Sequence, residues 1–330
     1  MESKTKLHSL ERLRIEDVES LCDKLTDKLR NDVIYQLNRR GAVVGISGGI
    51  DSSVTLALAV RAFGAKNVVA IMLPERDSSP DSLRLGNELA KTFGVKALVE
   101  DLTEALQGFG CYKRRDEAIS RVFPSFNPAT DKAKIVINQN IGKAIPSVFS
   151  VMIISADGKK HSKLLPVSEY LQIVASTNFK QRSRMSMLYY HAERLHYAVI
   201  GTPNKAEVDQ GFFVKYGDGG ADVMPIGGLY KTQVYQLAEF LGIPDEIIQR
   251  TPTTDTYTAE QTQEEFFYQL PFETMDLIWH GWENKCPPEE LAHELDKSTD
   301  EIRNIYNSFE RKRKTTDYLR MPPIFYDHNM

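Results

Sequence analysis

An apolar strand, a glycine turn and an apolar helix follow one another between residues 41 and 63, and no other stretch constrains the fold as strongly. The strand pattern covers 41–45, the helix pattern covers 54–63, and Ser47-Gly48-Gly49-Ile50-Asp51-Ser52-Ser53 joins them. The first backbone N–H groups of a helix lack partners within the helix and carry partial positive charge. The unit therefore predicts a site for an anion such as phosphate.

Asp51 is the unexpected member of this turn, because its carboxylate would repel a phosphate group. A Mg²⁺ ion between the two groups would remove the conflict. The spacing differs from the lysine-containing phosphate loop and from the Gly-x-Gly-x-x-Gly dinucleotide motif. The alternative is an ordinary glycine turn in which an Asp or Ser side chain caps the helix.

Composition narrows the class of protein. The chain has 330 residues, 42% of them hydrophobic, and a net charge of −4, which argues against a general nucleic-acid binder. Its three cysteines are far apart, a pattern typical of a reducing compartment rather than of a disulfide framework or a cysteine zinc site. The first residues lack a signal-peptide pattern, and no apolar run is long enough to span a bilayer. We expect a cytoplasmic protein without membrane contact.

Strand and helix patterns alternate along the chain. Apolar strands are predicted at 67–73, 95–102 and 197–202, and amphipathic helices at 9–39, 81–93, 168–195 and 229–241. This alternation predicts an α/β fold with a doubly wound, Rossmann-like parallel sheet covered on both faces. We expect the helical pattern of 9–39 to pack on that sheet or against a partner.

Residues 103–166 interrupt the alternation. Strand patterns at 135–137, 148–155 and 160–165, with Asp157-Gly158 between the last two, predict an inserted β-arm with a hairpin. Helices are expected at 272–282, 288–295 and 299–312, and a mobile polar loop at 251–270. We interpret residues 1–330 as one domain, with the 103–166 insertion and a helical C-terminal region over 270–330.

Three strand ends bring polar residues to one edge of the predicted sheet: 47–53, 73–79 and 201–207. Ligands of parallel sheets bind at this edge. Asp51 and Glu207 are the candidate ligands of one Mg²⁺ ion on a triphosphate, since Mg²⁺ in proteins is commonly held by one or two carboxylates and phosphate oxygens. Alone, Glu207 can equally be a solvated loop acid.

Three basic residues extend the same site. Lys231, in the first turn of a predicted helix, is a candidate charge clamp on pyrophosphate. Arg182 and Arg184 can bind a second anion through paired guanidinium N–H groups. The alternatives are an exposed lysine at a helix start and two arginines in structural ion pairs.

Longer motifs then carry a resemblance to a known family. The 47–53 turn resembles the pyrophosphate loop of the N-type ATP pyrophosphatases, whose fold is of the adenine nucleotide alpha hydrolase type. Further motifs are similar to those of the NAD synthetases: Gly201-Thr202-Pro203-Asn204-Lys205-Ala206-Glu207, the blocks 178–185 and 211–222, Pro225-Ile226, Leu229-Tyr230-Lys231-Thr232 and Pro252-Thr253-Thr254-Asp255. The resemblance covers roughly residues 10–103 and 167–285.

The resemblance implies a two-step reaction with ATP as co-substrate. ATP adenylates the nicotinate carboxylate of deamido-NAD and releases pyrophosphate, and ammonia then displaces AMP to give NAD. It also implies Mg²⁺ and a homodimer whose interface completes the deamido-NAD site, with the N-terminal helix as a candidate part of that interface. Because about 40 residues precede the first strand, no fused glutaminase domain is expected there.

The resemblance assigns roles by position. Asp51, Lys231 and Thr253 would be catalytic, and Asp51 and Glu207 would hold the metal. ATP would be bound by Ser47, Gly48, Gly49, Ile50, Asp51, Ser52, Ser53, Leu73, Thr202, Lys231 and Thr253. Deamido-NAD would be bound by Arg182, Lys215, Asp218, Asp222 and Lys312, the last in place of a His-Lys pair of the family. The loop at 253–264 would order over the substrate.

Three other functions are compatible with the same motifs. The first is an amide ligase of this kind that adenylates a different carboxylic acid, which the 103–166 segment keeps open. The second is a non-catalytic nucleotide-binding protein, against which Asp51, Glu207 and Lys231 argue. The third is a tRNA-modifying relative, for which neither a basic face nor a cysteine pair is visible.

Overall fold

The computed structural model describes residues 11–138, 148–253, 257–259, 262 and 270–326. The strands are β1 Ala42–Gly45, β2 Val68–Met72, β3 Lys96–Val99, β4 Lys132–Asn138, β5 Val148–Ile154, β6 Lys160–Leu164 and β7 Ala198–Ile200. The helices are α1 Val18–Asn31, α2 Ile50–Phe63, α3 Pro80–Thr92, α4 Thr103–Gly108, α5 Cys111–Val122, α6 Val167–Leu195, α7 Lys205–Gln210, α8 Lys231–Leu241, α9 Asp245–Gln249, α10 Phe272–Glu283, α11 Pro288–Glu294 and α12 Thr299–Arg320. A short π-helical turn, Asp32–Gln36, continues α1.

The central sheet has four parallel strands in the order β3-β2-β1-β7. Val43 of β1 is in register with Val69 of β2 and with Val199 of β7. Successive side chains of a strand point to opposite faces. Val44 therefore packs into one apolar cluster with α1, α2, α3 and α8, whereas Val43 packs against α6 on the other face. The predicted doubly wound α/β fold is confirmed.

The N-terminal helix packs into the core of its own chain. Helix α1 begins at Val18, where Asp17 caps it by accepting a hydrogen bond from the Ser20 amide. Leu29 and Val33 are buried in the cluster beneath the sheet. The start of the predicted helical pattern, residues 9–10, lies outside the described residues.

The segment 103–166 contains an antiparallel sheet of order β4-β5-β6 and two helices that we did not predict from sequence, α4 and α5. The predicted hairpin is present between β5 and β6, where the Ser155 amide donates to the Lys159 carbonyl at 3.0 Å. Helix α5 packs along α6. The β-arm packs against α5 and α6 in an apolar cluster that includes Ile119, Val151 and Ile173.

Helices α10, α11 and α12 form the C-terminal part around a second apolar cluster that includes Trp279 and Phe309. A capping box between Ser298 and Glu301 starts α12. The helix runs to Arg320, eight residues beyond the predicted end, before a Pro-Pro pair. Among the described residues, no helix combines the length and apolar character needed to cross a bilayer.

Candidate active site

A cavity of about 920 Å³ opens at the carboxyl ends of β1, β2 and β7. The chain leaves β1 toward α2 on one face of the sheet and reaches β7 from α6 on the other face. Adjacent strands whose connections run to opposite faces leave a crevice between them, which is the common ligand site of such sheets. The 47–53 turn forms the floor of this cavity.

Backbone geometry requires a glycine at position 48 of the turn. Gly48 has φ +70°, and a Cβ there would lie 2.6 Å from the Cβ of Leu85. Gly49 is extended and precedes the first residue of α2. The hydroxyls of Ser52 and Ser53 each donate to the Gly49 carbonyl at 2.9 Å. The turn therefore presents the N-terminus of α2 to the cavity, as a site for an anion requires.

A buried ion pair supports the turn from below. Lys231, at the start of α8, is fully buried and its ammonium pairs with Asp51. Asn204 donates to the other oxygen of Asp51 at 3.2 Å. Burial by itself lowers the pKa of Lys231, but the charges of Asp51 and Glu207 outweigh it and raise the pKa above its usual value. Lys231 is therefore charged at neutral pH and fixes the Asp51 carboxylate.

Glu207 is the second carboxylate at this point, and a capping box fixes it. The backbone N–H of Asn204 donates to the Glu207 carboxylate at 3.0 Å, and the backbone N–H of Glu207 donates to the side-chain oxygen of Asn204. Burial, and then the negative charge of Asp51, raises the pKa of Glu207 to about 8. A carboxyl group whose ionisation is disfavoured by a neighbouring carboxylate suits a divalent cation, which can neutralise both. The described part of the chain contains no group of three or more His, Cys, Asp or Glu residues that could hold a metal ion. Mg²⁺ sites in proteins commonly combine one or two carboxylates with phosphate oxygens and water.

Most of the residues predicted from sequence line this one cavity: Ser47, Gly49, Ile50, Asp51, Ser52, Leu73, Thr202, Glu207, Asp218, Thr253 and Lys312. Gly48, Ser53 and Lys231 lie directly behind its wall and hold the turn in shape. The strand ends that sequence analysis grouped together therefore do meet.

Asp218 and Lys312 both line the cavity, and burial shifts the pKa of each. Burial raises the pKa of Asp218 to about 6, although the Val214 amide donates to its carboxylate at 2.8 Å. Burial also lowers the pKa of Lys312, on α12, to about 8. The extension of α12 beyond the predicted end brings Thr315 and Thr316 to the same wall.

Arg182, Lys215 and Asp222 do not line the cavity. The Arg182 guanidinium donates to the Lys215 carbonyl at 3.1 Å. The Lys215 ammonium donates to the carbonyls of Tyr318 and Met321 at the end of α12. Asp222 accepts from the Val199 amide and from Tyr189. Arg184, which was predicted together with Arg182 to bind a second anion, does line the cavity and donates to the Leu73 carbonyl at 3.1 Å.

A buried charge network behind the 73–79 loop was not predicted from sequence. The Lys180 ammonium, 1% exposed, contacts Glu75 at 3.0 Å and Asp77 at 2.6 Å. Arg115 of α5 also pairs with Asp77, and Tyr112 donates to Glu75 at 2.8 Å. The network ties the loop that carries Ser78 and Ser79 to the cavity wall. Lys180 lies inside the 178–185 motif, which was the only sequence signal for it.

The β-arm reaches the same cavity. Phe149 of β5 stacks on Tyr170 of α6 with ring centroids 4.2 Å apart, and both line the cavity with Tyr257. Thr258 accepts a hydrogen bond from the Ala133 amide of β4 at 2.7 Å. Of the loop predicted to order over the substrate, 253–264, residues 254–256, 260–261 and 263–264 lie outside the described residues.

Comparison with known proteins identifies the family. The NAD synthase family model matches residues 18–122 and 131–320, and so includes most of the 103–166 segment. An NH(3)-dependent NAD(+) synthetase of Rhizobium rhizogenes is 46% identical over 316 residues, covering 96% of this chain and 95% of its own. One of Thermotoga neapolitana is 33% identical, covering 96% and 99%.

Solved structures support the fold at lower identity. The NMN synthetase of Francisella tularensis aligns with TM-score 0.64 and 20% identity, covering 95% of this chain and all of its own. An NH3-dependent NAD synthetase of Campylobacter jejuni aligns with TM-score 0.61 at the same identity and coverage. The resemblance inferred from the motifs is confirmed: the chain belongs to the NAD synthase family.

Proposed function

We propose that this chain is a ligase that amidates deamido-NAD with ammonia at the expense of ATP, giving NAD, AMP and pyrophosphate. The observation that carries the proposal is the Asp51–Lys231 pair under the glycine turn, with Glu207 beside it. Relatives that match nearly the whole chain bear the corresponding name.

Adenylation is the first step. A carboxylate oxygen of the substrate attacks the α-phosphorus of ATP, and the bond from that phosphorus to the bridging oxygen breaks. The bridging oxygen leaves with the electron pair as part of pyrophosphate. In this proposal the Ser47 hydroxyl and the amides at the N-terminus of α2 hold the pyrophosphate. Leu73 and Thr202 border the adenosine, and Thr253 contacts the phosphates.

Asp51 and Glu207 are proposed to hold Mg²⁺, which when bound would neutralise phosphate charge. The chain's own part is to keep these two carboxylates together in a buried site. Lys231 offsets one negative charge, and Asn204 orients both side chains. Catalysis then rests on positioning and on charge stabilisation rather than on a covalent enzyme intermediate.

Amide formation is the second step. The nitrogen of ammonia attacks the acyl carbon of the adenylate, the bond to the phosphate oxygen breaks, and AMP leaves. A proton is lost from nitrogen to give the neutral amide. Water is the competing nucleophile, so the walls supplied by α12 and the β-arm serve to exclude it.

We propose Asp218 and Lys312 as contacts for deamido-NAD within this cavity. Arg182, Lys215 and Asp222 lie off it, so we propose that they act at a subunit interface of a homodimer. Exposed Val167 and Leu171 on α6 support such an interface. Three unpaired cysteines support a cytoplasmic location.

A product assay tests the proposal. Purified protein is given ATP, Mg²⁺ and ammonium with either deamido-NAD or nicotinate mononucleotide, and glutamine replaces ammonium in parallel. We expect equal amounts of NAD, AMP and pyrophosphate from deamido-NAD and ammonium. AMP formation with the mononucleotide alone would reject the substrate and favour a related amide ligase.

Asp51→Asn tests the role of the site. We expect AMP formation to fall by about 100-fold or more, because the variant removes a carboxylate charge that would hold Mg²⁺ against the phosphates. Asp23→Asn is the matched control. It breaks an ion pair between Asp23 of α1 and Arg61, which lies near the C-terminal end of the helix that carries Asp51. Near-normal turnover by a folded Asp51→Asn protein would refute the assignment.

A further inference from the structure

Arg250 lines the cavity beside the glycine turn, and neither the motifs nor the mechanism above uses it. Its side chain lines the cavity, and one guanidinium nitrogen is 3.4 Å from the Gly48 carbonyl. It follows α9 and comes three residues before Thr253. Among the described residues, no carboxylate pairs with Arg250 within 4 Å.

The carboxyl groups around the turn bear on the role of Arg250. Asp51, Glu207 and Asp218 face the cavity near the turn, and Lys231 is already paired with Asp51. A triphosphate adds further negative charge. The turn's amides supply partial charges only. Arg250 is therefore, among the described residues, a full positive charge without a carboxylate partner, and it lies next to the backbone that would hold pyrophosphate.

The other cavity arginines have different partners. Arg184 donates to the Leu73 carbonyl and lies 4.0 Å from Glu75. Arg311 donates to the Asn307 carbonyl of its own helix. Outside the cavity, Arg84 on α3 is exposed and pairs with Glu246 of α9. Only Arg250 of these four contacts the glycine turn.

We propose that Arg250 is a catalytic residue that binds the pyrophosphate part of ATP and stabilises it as the leaving group of adenylation. This inference rests on the proposed function and extends it to a residue to which nothing above assigns a role. As the bond between the α-phosphorus and the bridging oxygen breaks, negative charge grows on pyrophosphate. A guanidinium can meet two of its oxygens at once.

The test compares Arg250→Gln, Arg250→Lys and the control Arg84→Gln, which removes a cation from the outer contact between α3 and α9. For Arg250→Gln we expect kcat/KM for ATP to fall about 100-fold, as for loss of one charge-stabilising donor. We expect the inhibition constant of magnesium pyrophosphate to rise at least about tenfold, while that of AMP stays within about twofold, because only one product loses its ion pair. Arg250→Lys should recover part of both losses.

Equal shifts for pyrophosphate and AMP, or an unchanged constant for pyrophosphate, would overturn the proposal and leave Arg250 as a structural contact of Gly48. Thermal unfolding of all three variants checks that each is folded. Calorimetric titration with magnesium pyrophosphate gives the same comparison without turnover. A protein that makes no NAD but loses pyrophosphate affinity in Arg250→Gln would refute the proposed function and retain this inference.

Discussion

At the scale of single residues, the glycine turn shows how sequence specifies a site. Gly48 needs both a left-handed backbone and space against Leu85, whereas Gly49 needs neither. A Cβ on Gly49 would meet only the Ser47 hydroxyl, at 3.3 Å, and that hydroxyl can rotate. The backbone of the turn therefore requires glycine at position 48 but not at position 49.

This difference predicts unequal effects of alanine. Gly48→Ala should lower the free energy of unfolding by about 2 kcal/mol or more, since it adds left-handed strain to a clash with Leu85. Gly49→Ala should change it by less than about 0.5 kcal/mol. Urea unfolding of both variants measures the difference, and equal losses would show that the backbone conformation of the turn is not the constraint.

Sequence alone identified the residues that belong to motifs and missed those that act through distant contacts. Asp51 and Glu207 were predicted to meet because each follows a strand end. Arg250 belongs to no motif, and its contact with Gly48 spans 202 positions. Nothing in local composition predicts which arginine points at a given turn.

At the scale of elements, hydrophobic periodicity predicted the central strands and long helices, but not what joins them. Helix α4 was missed because it has only 6 residues. Helix α5 was missed because half of its 12 residues are charged. The network that fixes the 73–79 loop joins Lys180 to Glu75 across 105 positions. Its members look like ordinary surface charges until the fold buries them.

This network predicts a distinct response to acid. Burial by itself would raise the pKa of Asp77, but the charges of Lys180 and Arg115 outweigh it and hold the pKa at about 2, below the usual 3.8. A carboxylate with a depressed pKa contributes stability above its ordinary pKa, and that contribution is lost as pH falls toward the folded value.

We therefore expect Asp77→Asn to be less stable than the wild type at neutral pH, because Lys180 and Arg115 lose a buried partner. Between about pH 5 and about pH 2 the wild type should lose roughly 2 kcal/mol more unfolding free energy than the variant. Chemical denaturation across this range measures both slopes. Equal pH dependence of the unfolding free energy in the two proteins would mean that Lys180 and Arg115 do not lower the pKa of Asp77 in the folded protein.

At the scale of the whole molecule, the cavity is a product of four parts of the chain. The sheet supplies the glycine turn and Leu73, α7 supplies Glu207, α12 supplies Lys312, and the β-arm supplies Phe149. The sequence predicted the α/β fold, which the structure and the comparisons bear out, and it grouped the strand ends that line this cavity. It did not predict that the β-arm and α12 enclose the same space, since their contacts are set by packing.

Isotope transfer tests the central claim most directly, namely that this cavity forms an acyl-adenylate. Deamido-NAD labelled with oxygen-18 in its carboxylate is converted with ATP and ammonium, and the masses of the products are measured by mass spectrometry. The mechanism predicts one labelled oxygen in AMP and none in pyrophosphate, because a carboxylate oxygen bonds to the α-phosphorus and leaves with AMP. Unlabelled AMP, or label in inorganic phosphate, would contradict it.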